Sequence, residues 1–194
     1  MFNDTIHTLP KGYEAIEIAS RSIRFSMPSD LQTGALLQTL AGSKPNGRFL
    51  EIGTGTGLAA AWLLAGMDSD SSLLSIDNEA RYQAVANNIL GDDTRLNLLC
   101  TDAGQWLEDN QTEQFDLIFA DAWPGKYANL DAALNALRVG GLYVIDDMLP
   151  QPNWPAGHED NVAKLVSDLE SRTNLHLVKL AWSTGIVIVT KKTN

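Results

Sequence analysis

One feature constrains the fold of this chain more than any other: an alternation. Five short apolar runs, at 48–52, 72–76, 96–100, 115–120 and 141–145, are separated by stretches of helical spacing such as 78–90 and 129–138. A strand that is apolar along its whole length is buried on both faces. Strands alternating with helices are how a parallel sheet obtains that cover. The rhythm breaks at the end, where "LHLVKLAW" and "GIVIVTKK" are separated only by Ser183 and Thr184. A connection that short excludes a parallel crossover, so the last two strands form an antiparallel hairpin. Two amphipathic stretches, 11–22 and 29–41, precede the first strand, with Ser29 as the expected cap of the second. "GSKPNG" at 42–47 is a loop. The expected architecture is α/β: a doubly wound, mostly parallel seven-stranded sheet with a C-terminal antiparallel hairpin and N-terminal helices. The length suits one domain over 1–194, with 1–45 a helical cover on a 46–194 core.

Composition narrows the function classes. The longest apolar stretch, 58–67, is about half of what a membrane span requires and reads as a buried helix. The opening "MFNDTIHTLPKGYEA" lacks the basic and apolar regions of a secretory signal. Cys100 is the only cysteine, so no internal disulfide forms, and a reducing, cytoplasmic setting is expected. The formal net charge is −10, and the only basic run is Lys191-Lys192. Nucleic-acid binding draws most of its affinity from cations placed on phosphates, so neither a nucleic acid nor a membrane surface is an expected partner. A small neutral or cationic acceptor fits better.

The first run delivers its carboxyl end into "EIGTGTG", Glu51 to Gly57, before an apolar helix begins. Open α/β sheets bind ligands at that edge, near the point where strand order reverses. Glycines there permit positive φ and let a ligand approach the backbone. A dinucleotide fingerprint would place its third glycine at 58, where Leu58 stands, and no Gly-Lys-Ser/Thr phosphate loop is present. An acid followed by Gly53, Thr54, Gly55 and Gly57 resembles motif I of the class I S-adenosylmethionine-dependent methyltransferases. The five parallel strands, helix and hairpin suit the same family. Asp77, followed by Asn78, ends the second run 20 residues after Gly57. A carboxylate there can accept both ribose hydroxyls. Asp102, followed by Ala103, ends the third run, where the family commonly contacts the adenine amino group. Each acid taken alone could equally be a helix cap.

The fourth and fifth runs add a rim of acids. "FDLIFADAWPGKY" brings Asp121, Trp123, Lys126 and Tyr127, and "LRVGGLYVIDDML" brings Asp146 and Asp147. Strands about 4.8 Å apart let these carboxylates converge, and converging carboxylates repel unless a cation lies between them. Oxygen ligands of this kind suit Mg²⁺, with Mn²⁺ or Ca²⁺ as substitutes. The pattern resembles the metal-dependent O-methyltransferases of the catechol and caffeoyl-CoA type. That resemblance implies a Mg²⁺ held by Asp121, Asp146 and Asp147, an acceptor with vicinal oxygens, and Trp123 walling the site.

Two departures stand out. Asp147 replaces the family's usual Asn, and Pro124 occupies the position where the catechol enzyme carries its lysine base. Lys126 is the substitute candidate base, with a solvated loop lysine as the alternative. His158 is a further candidate, or a solvated residue at a helix start. Trp154 is a candidate lid, Trp182 a rim or core residue, and Met27 and Pro28 belong to a cover or a dimer surface. Two other readings stay open: metal-independent N- or O-methylation, and a non-catalytic protein that binds S-adenosylmethionine or S-adenosylhomocysteine. A dehydrogenase is the least favoured.

Overall fold

The computed structural model describes residues 3–193; positions 1, 2 and 194, which the one-domain expectation also spans, lie outside it. The helices α1 (Tyr13–Ser22) and α2 (Leu31–Gly42) open the chain. They are followed by β1 (Arg48–Ile52), α3 (Leu58–Gly66), β2 (Ser72–Asp77), α4 (Ala80–Leu90), β3 (Leu96–Cys100), α5 (Ala103–Asp109) and β4 (Phe115–Ala120). Then come α6 (Leu130–Asn135), β5 (Leu137–Ile145), α7 (His158–Ser171), β6 (Leu175–Leu180) and β7 (Ile186–Lys191).

The strands form a seven-stranded sheet in the order β3-β2-β1-β4-β5-β7-β6. The first five are parallel, and β7 runs antiparallel to both β5 and β6. The fold is therefore the α/β arrangement expected from the alternation. Strand β1 lies between β2 and β4, so the winding reverses at its carboxyl end. Successive residues of β1 and β4 serve opposite faces, and both faces are buried. Leu50, Ile52, Ile118 and Ala120 pack with α5, α6 and α7. Phe49, Leu117 and Phe119 pack with α1, α2 and α3.

Three local expectations need correction. The cap of α2 is Asp30 rather than Ser29: its Oδ1 accepts from the amides of Gln32 and Thr33 at 2.8 and 2.9 Å. The helix expected at 129–138 stops at Asn135, and β5 begins at Leu137 with an irregular register before Leu142. The pairing of Leu137 with Phe115, beside the Arg138–Asp116 ion pair, draws those residues into the sheet. The hairpin strands also end earlier than expected, at Leu180, and resume at Ile186. The widened turn carries Thr184 to the active edge, where its hydroxyl donates to Asp146.

Candidate active site

The loop after β1 hooks over the end of β2, where the amides of Gly53 and Thr54 donate to Ile76 O at 2.8 and 3.3 Å. Gly53 has φ +104°, and a Cβ there would lie 2.8 Å from Asp121 O. Only glycine permits that approach of loop to β4. Gly57, at φ +96°, packs against Ala86 of α4, where a Cβ would fall 2.7 Å from Ala86 Cβ. Its role in the geometry is helix packing, and it does not border the cavity described below.

Asp77 is tied into the same loop. Its Oδ2 accepts from Gly55 N and its Oδ1 from Glu79 N, both at 2.7 Å. Each carboxylate oxygen keeps further acceptor capacity. Asp102 caps α5, its Oδ1 accepting from Gln105 N at 2.7 Å, and the residue also borders the cavity. Glu51 is placed differently from its neighbours. It is fully buried beneath the loop and does not border the cavity. Gln83 Nε2 donates to Thr54 Oγ1 at 3.1 Å, the Thr54 and Ser75 hydroxyls lie 2.6 Å apart, and Ser75 donates to Glu51 Oε2. Burial pushes the Glu51 carboxyl up to about 8.

The acids of β4 and β5 stand in one row beyond β1. Asp121 N donates to Ile52 O at 2.9 Å, and Asp146 N to Ala120 O at 3.4 Å. Burial and the neighbouring Asp146 carboxylate raise Asp121 well above the ordinary range, and burial likewise raises Asp146 and Asp147. Asp146 Oδ1 accepts from the Thr184 hydroxyl and from Asp147 N, the latter at 2.7 Å. Asp147 itself has φ +59°.

Lys126 is not the solvated loop lysine. Only 6% exposed, it donates from Nζ to Asp146 O at 2.7 Å. Its ammonium opposes the upward shifts of Asp121, Asp146 and Asp147 alike. The Pro124-Gly125 turn brings it inward: Gly125 adopts φ +81°, and the buried Tyr143 hydroxyl donates to Gly125 O at 2.6 Å.

These groups border one cavity of about 560 Å³. Of the residues singled out in the sequence, Gly53, Thr54, Gly55, Asp77, Asn78, Asp102, Ala103, Asp121, Trp123, Lys126, Asp146 and Asp147 all border it. Residues 25–29 close one side. Trp123, Tyr127, Trp154 and His158 form an aromatic wall, the His158 ring centroid lying 4.7 Å from Trp154 and 5.0 Å from Tyr127. Tyr127 Oη and His158 Nδ1 are buried with no protein hydrogen-bond partner, so His158 is not a solvated helix-start residue. Trp182 is half-buried and away from the cavity. Phe25, Tyr82 and Thr184 were missed. Phe25 and Tyr82 meet edge to face at 4.8 Å, a juxtaposition of distant segments that no local pattern announces.

The resemblance implies a divalent ion at this rim, and the side chains as they stand are not gathered into a set of ligands for one. Among the described residues, no group of three or more His, Cys, Asp or Glu side chains is arranged to hold a metal ion. Asp146 Oδ1 is engaged by two hydrogen-bond donors, the Thr184 hydroxyl and Asp147 N.

Comparison with known proteins places this geometry. The model of a family described as O-methyltransferase matches residues 14–192. The chain belongs to the O-methyltransferase family. Its relatives in that family include a provisionally named O-methyltransferase of Mycolicibacterium vanbaalenii, 33% identical over 117 residues, 58% of this chain and 52% of the relative. Another, from Mycobacterium sp. strain KMS, is 32% identical over 140 residues, 68% of this chain and 64% of the relative. This family member thus spans about half to two thirds of those curated relatives. Among solved structures, the O-methyltransferase TomG of Streptomyces achromogenes in complex with SAM superposes with TM-score 0.82 at 22% identity, covering 96% of this chain and 92% of TomG. An O-methyltransferase of Bacillus cereus in complex with SAH gives TM-score 0.83 at 18% identity, covering 97% and 94%. At such identities the likeness is one of fold, that of class I methyltransferases.

Proposed function

We propose that this chain transfers a methyl group from S-adenosylmethionine to an oxygen of a small acceptor. One observation carries the reading: the glycine turn, the strand-end acids Asp77 and Asp102, and the carboxylate rim all border a single cavity. When bound, S-adenosylmethionine supplies a sulfonium methyl; the acceptor oxygen's lone pair forms the new O–C bond, and the C–S pair returns to sulfur. The chain's own residues do the rest. Asp77 holds spare acceptor capacity for ribose hydroxyls, and the Gly53–Gly55 backbone allows close approach of the cofactor. Asp121 and Asp147 stand where the acceptor's proton can be received. Trp123, Tyr127 and Trp154 offer a wall for a planar body and exclude water, which is most of what an in-line transfer asks of a protein. The vicinal oxygens implied by the resemblance belong to a metal-chelated variant, which the arrangement around Lys126 does not favour. In this reading 1–45 is a cover on the 46–194 core, the acceptor is neither nucleic acid nor membrane, and the protein works in the cytoplasm.

The experiment is a screen of hydroxylated aromatic acceptors with methyl-labelled S-adenosylmethionine, alongside calorimetric titration with S-adenosylhomocysteine. We expect micromolar-range S-adenosylhomocysteine binding and label transfer to at least one acceptor. Asp121→Ala should abolish transfer and leave S-adenosylhomocysteine affinity within a few-fold. Wild-type protein that fails to bind S-adenosylhomocysteine would refute the proposal.

A further inference from the structure

We infer that Lys126 supplies from within the chain the positive charge that the carboxylate rim requires, so that methyl transfer here needs no divalent ion. The inference rests on the methyltransferase reading above and names the group that replaces the family's metal.

Carboxylates at adjacent strand ends repel one another, and a nearby cation relieves that repulsion. The nearest positive charge in this cavity is built in. Lys126 Nζ is buried, anchored to the main-chain oxygen of Asp146, and borders the same cavity as Asp121, Asp146 and Asp147. A flexible surface lysine would not do this, because it would remain in water.

The loop is constructed to deliver it. Pro124 bridges to Ala128, and Gly125 N donates to Ala128 O at 2.7 Å. Gly125 can carry no side chain without meeting Tyr143 Oη at 2.7 Å and Ile52 Cδ1 at 2.9 Å. The turn is therefore clamped onto the sheet, and the next residue must point beneath the rim.

The rim's own hydrogen bonds agree. Asp146 Oδ1 accepts from both a hydroxyl and an amide, so part of its charge is already met by donors of the chain itself. Those donors stabilise the anion without an ion. Lys126 has three N–H donors and spends one on Asp146 O, so the others can hold the acceptor oxygen as it loses its proton to the rim.

The test is a Mn²⁺ titration followed by electron paramagnetic resonance, on full-length protein saturated with S-adenosylhomocysteine, with and without catechol as a bidentate probe. Wild type is expected to leave the free Mn²⁺ signal unchanged at equimolar, sub-millimolar concentrations. Lys126→Met should bind Mn²⁺ at least tenfold more tightly than wild type, and Lys126→Arg should behave as wild type. One equivalent of Mn²⁺ bound by wild type and lost in Asp121→Asn would overturn the inference. So would a folded Lys126→Met protein with no gain in Mn²⁺ affinity. The wild-type arm is decisive even where a variant fails to fold. S-adenosylhomocysteine binding measured on the same sample separates failure of the charge replacement from failure of the methyltransferase reading.

Discussion

Glu51 stands at the head of the glycine motif yet faces away from the cavity, and its behaviour follows from that burial. The unfolded chain ionises this carboxyl near 4.5, whereas the folded chain keeps its proton up to about 8. A raised folded value contributes stability that is complete below the unfolded pKa and lost as pH rises through the folded one. The loss accumulates at roughly 1.4 kcal/mol per pH unit across that window. Glu51→Gln carries no such loss and keeps an acceptor for Ser75. Thermal melts at pH 5 and pH 8 should show the variant gaining on wild type as pH rises; a gap that stays constant would show that Glu51 is ionised throughout. The same residue illustrates a limit of motif reading. The acid belongs to the pattern, but its position on the buried face of β1 makes it a support for the loop through Ser75 and Thr54.

Among the elements, α2 and α3 pack against each other through two glycines. A Cβ at Gly34 would lie 2.2 Å from the Trp62 ring, and one at Gly66 would lie 2.1 Å from Gln38 O. Trp62 is thereby sealed in the core at 1% exposure. Gly34→Ala gains helix propensity, but the clash is with a large ring that has no free space to enter. Overpacking of this kind costs about 1–3 kcal/mol, or a fall in Tm of roughly 2–12 °C for a chain of this size. A melt showing equal or higher Tm would mean that the helices can separate freely. Because the connection from α1 to α2 closes one side of the cavity, the same variant should also weaken S-adenosylhomocysteine binding.

Across the whole molecule, the cavity joins segments from residue 25 to residue 184, so a ligand in it links both halves of the sheet to the N-terminal cover. Binding to the native state alone stabilises by about 2.7 kcal/mol at a hundred times Kd. For this chain length that is roughly 5–11 °C. S-adenosylhomocysteine should raise Tm by that amount, and Asp77→Ala should remove most of the rise while altering the ligand-free melt less. A full rise in the variant would place the ribose contact elsewhere. No helix among the described residues is long and apolar enough to cross a membrane.

What the sequence determined by itself was the periodic part. Apolar runs alternating with helices dictated a parallel sheet, because only covered faces bury such strands. The short separation of the last two apolar runs dictated the final hairpin, though the turn proved wider than two residues, and the glycines marked the loop, because no other residue takes a positive φ at so close an approach. The strand-end acids Asp77, Asp102, Asp121 and Asp146 were legible for the same reason, since strand order carries them to one edge. Tertiary structure alone decided what surrounds those acids. Whether Asp121, Asp146 and Asp147 face an ion or a lysine depends on where the clamped Pro124-Gly125 turn sends Lys126, and on a threonine 38 residues away from Asp146. Those contacts are non-local, and charge balance in a buried site is set by what surrounds it in space rather than by what adjoins it along the chain.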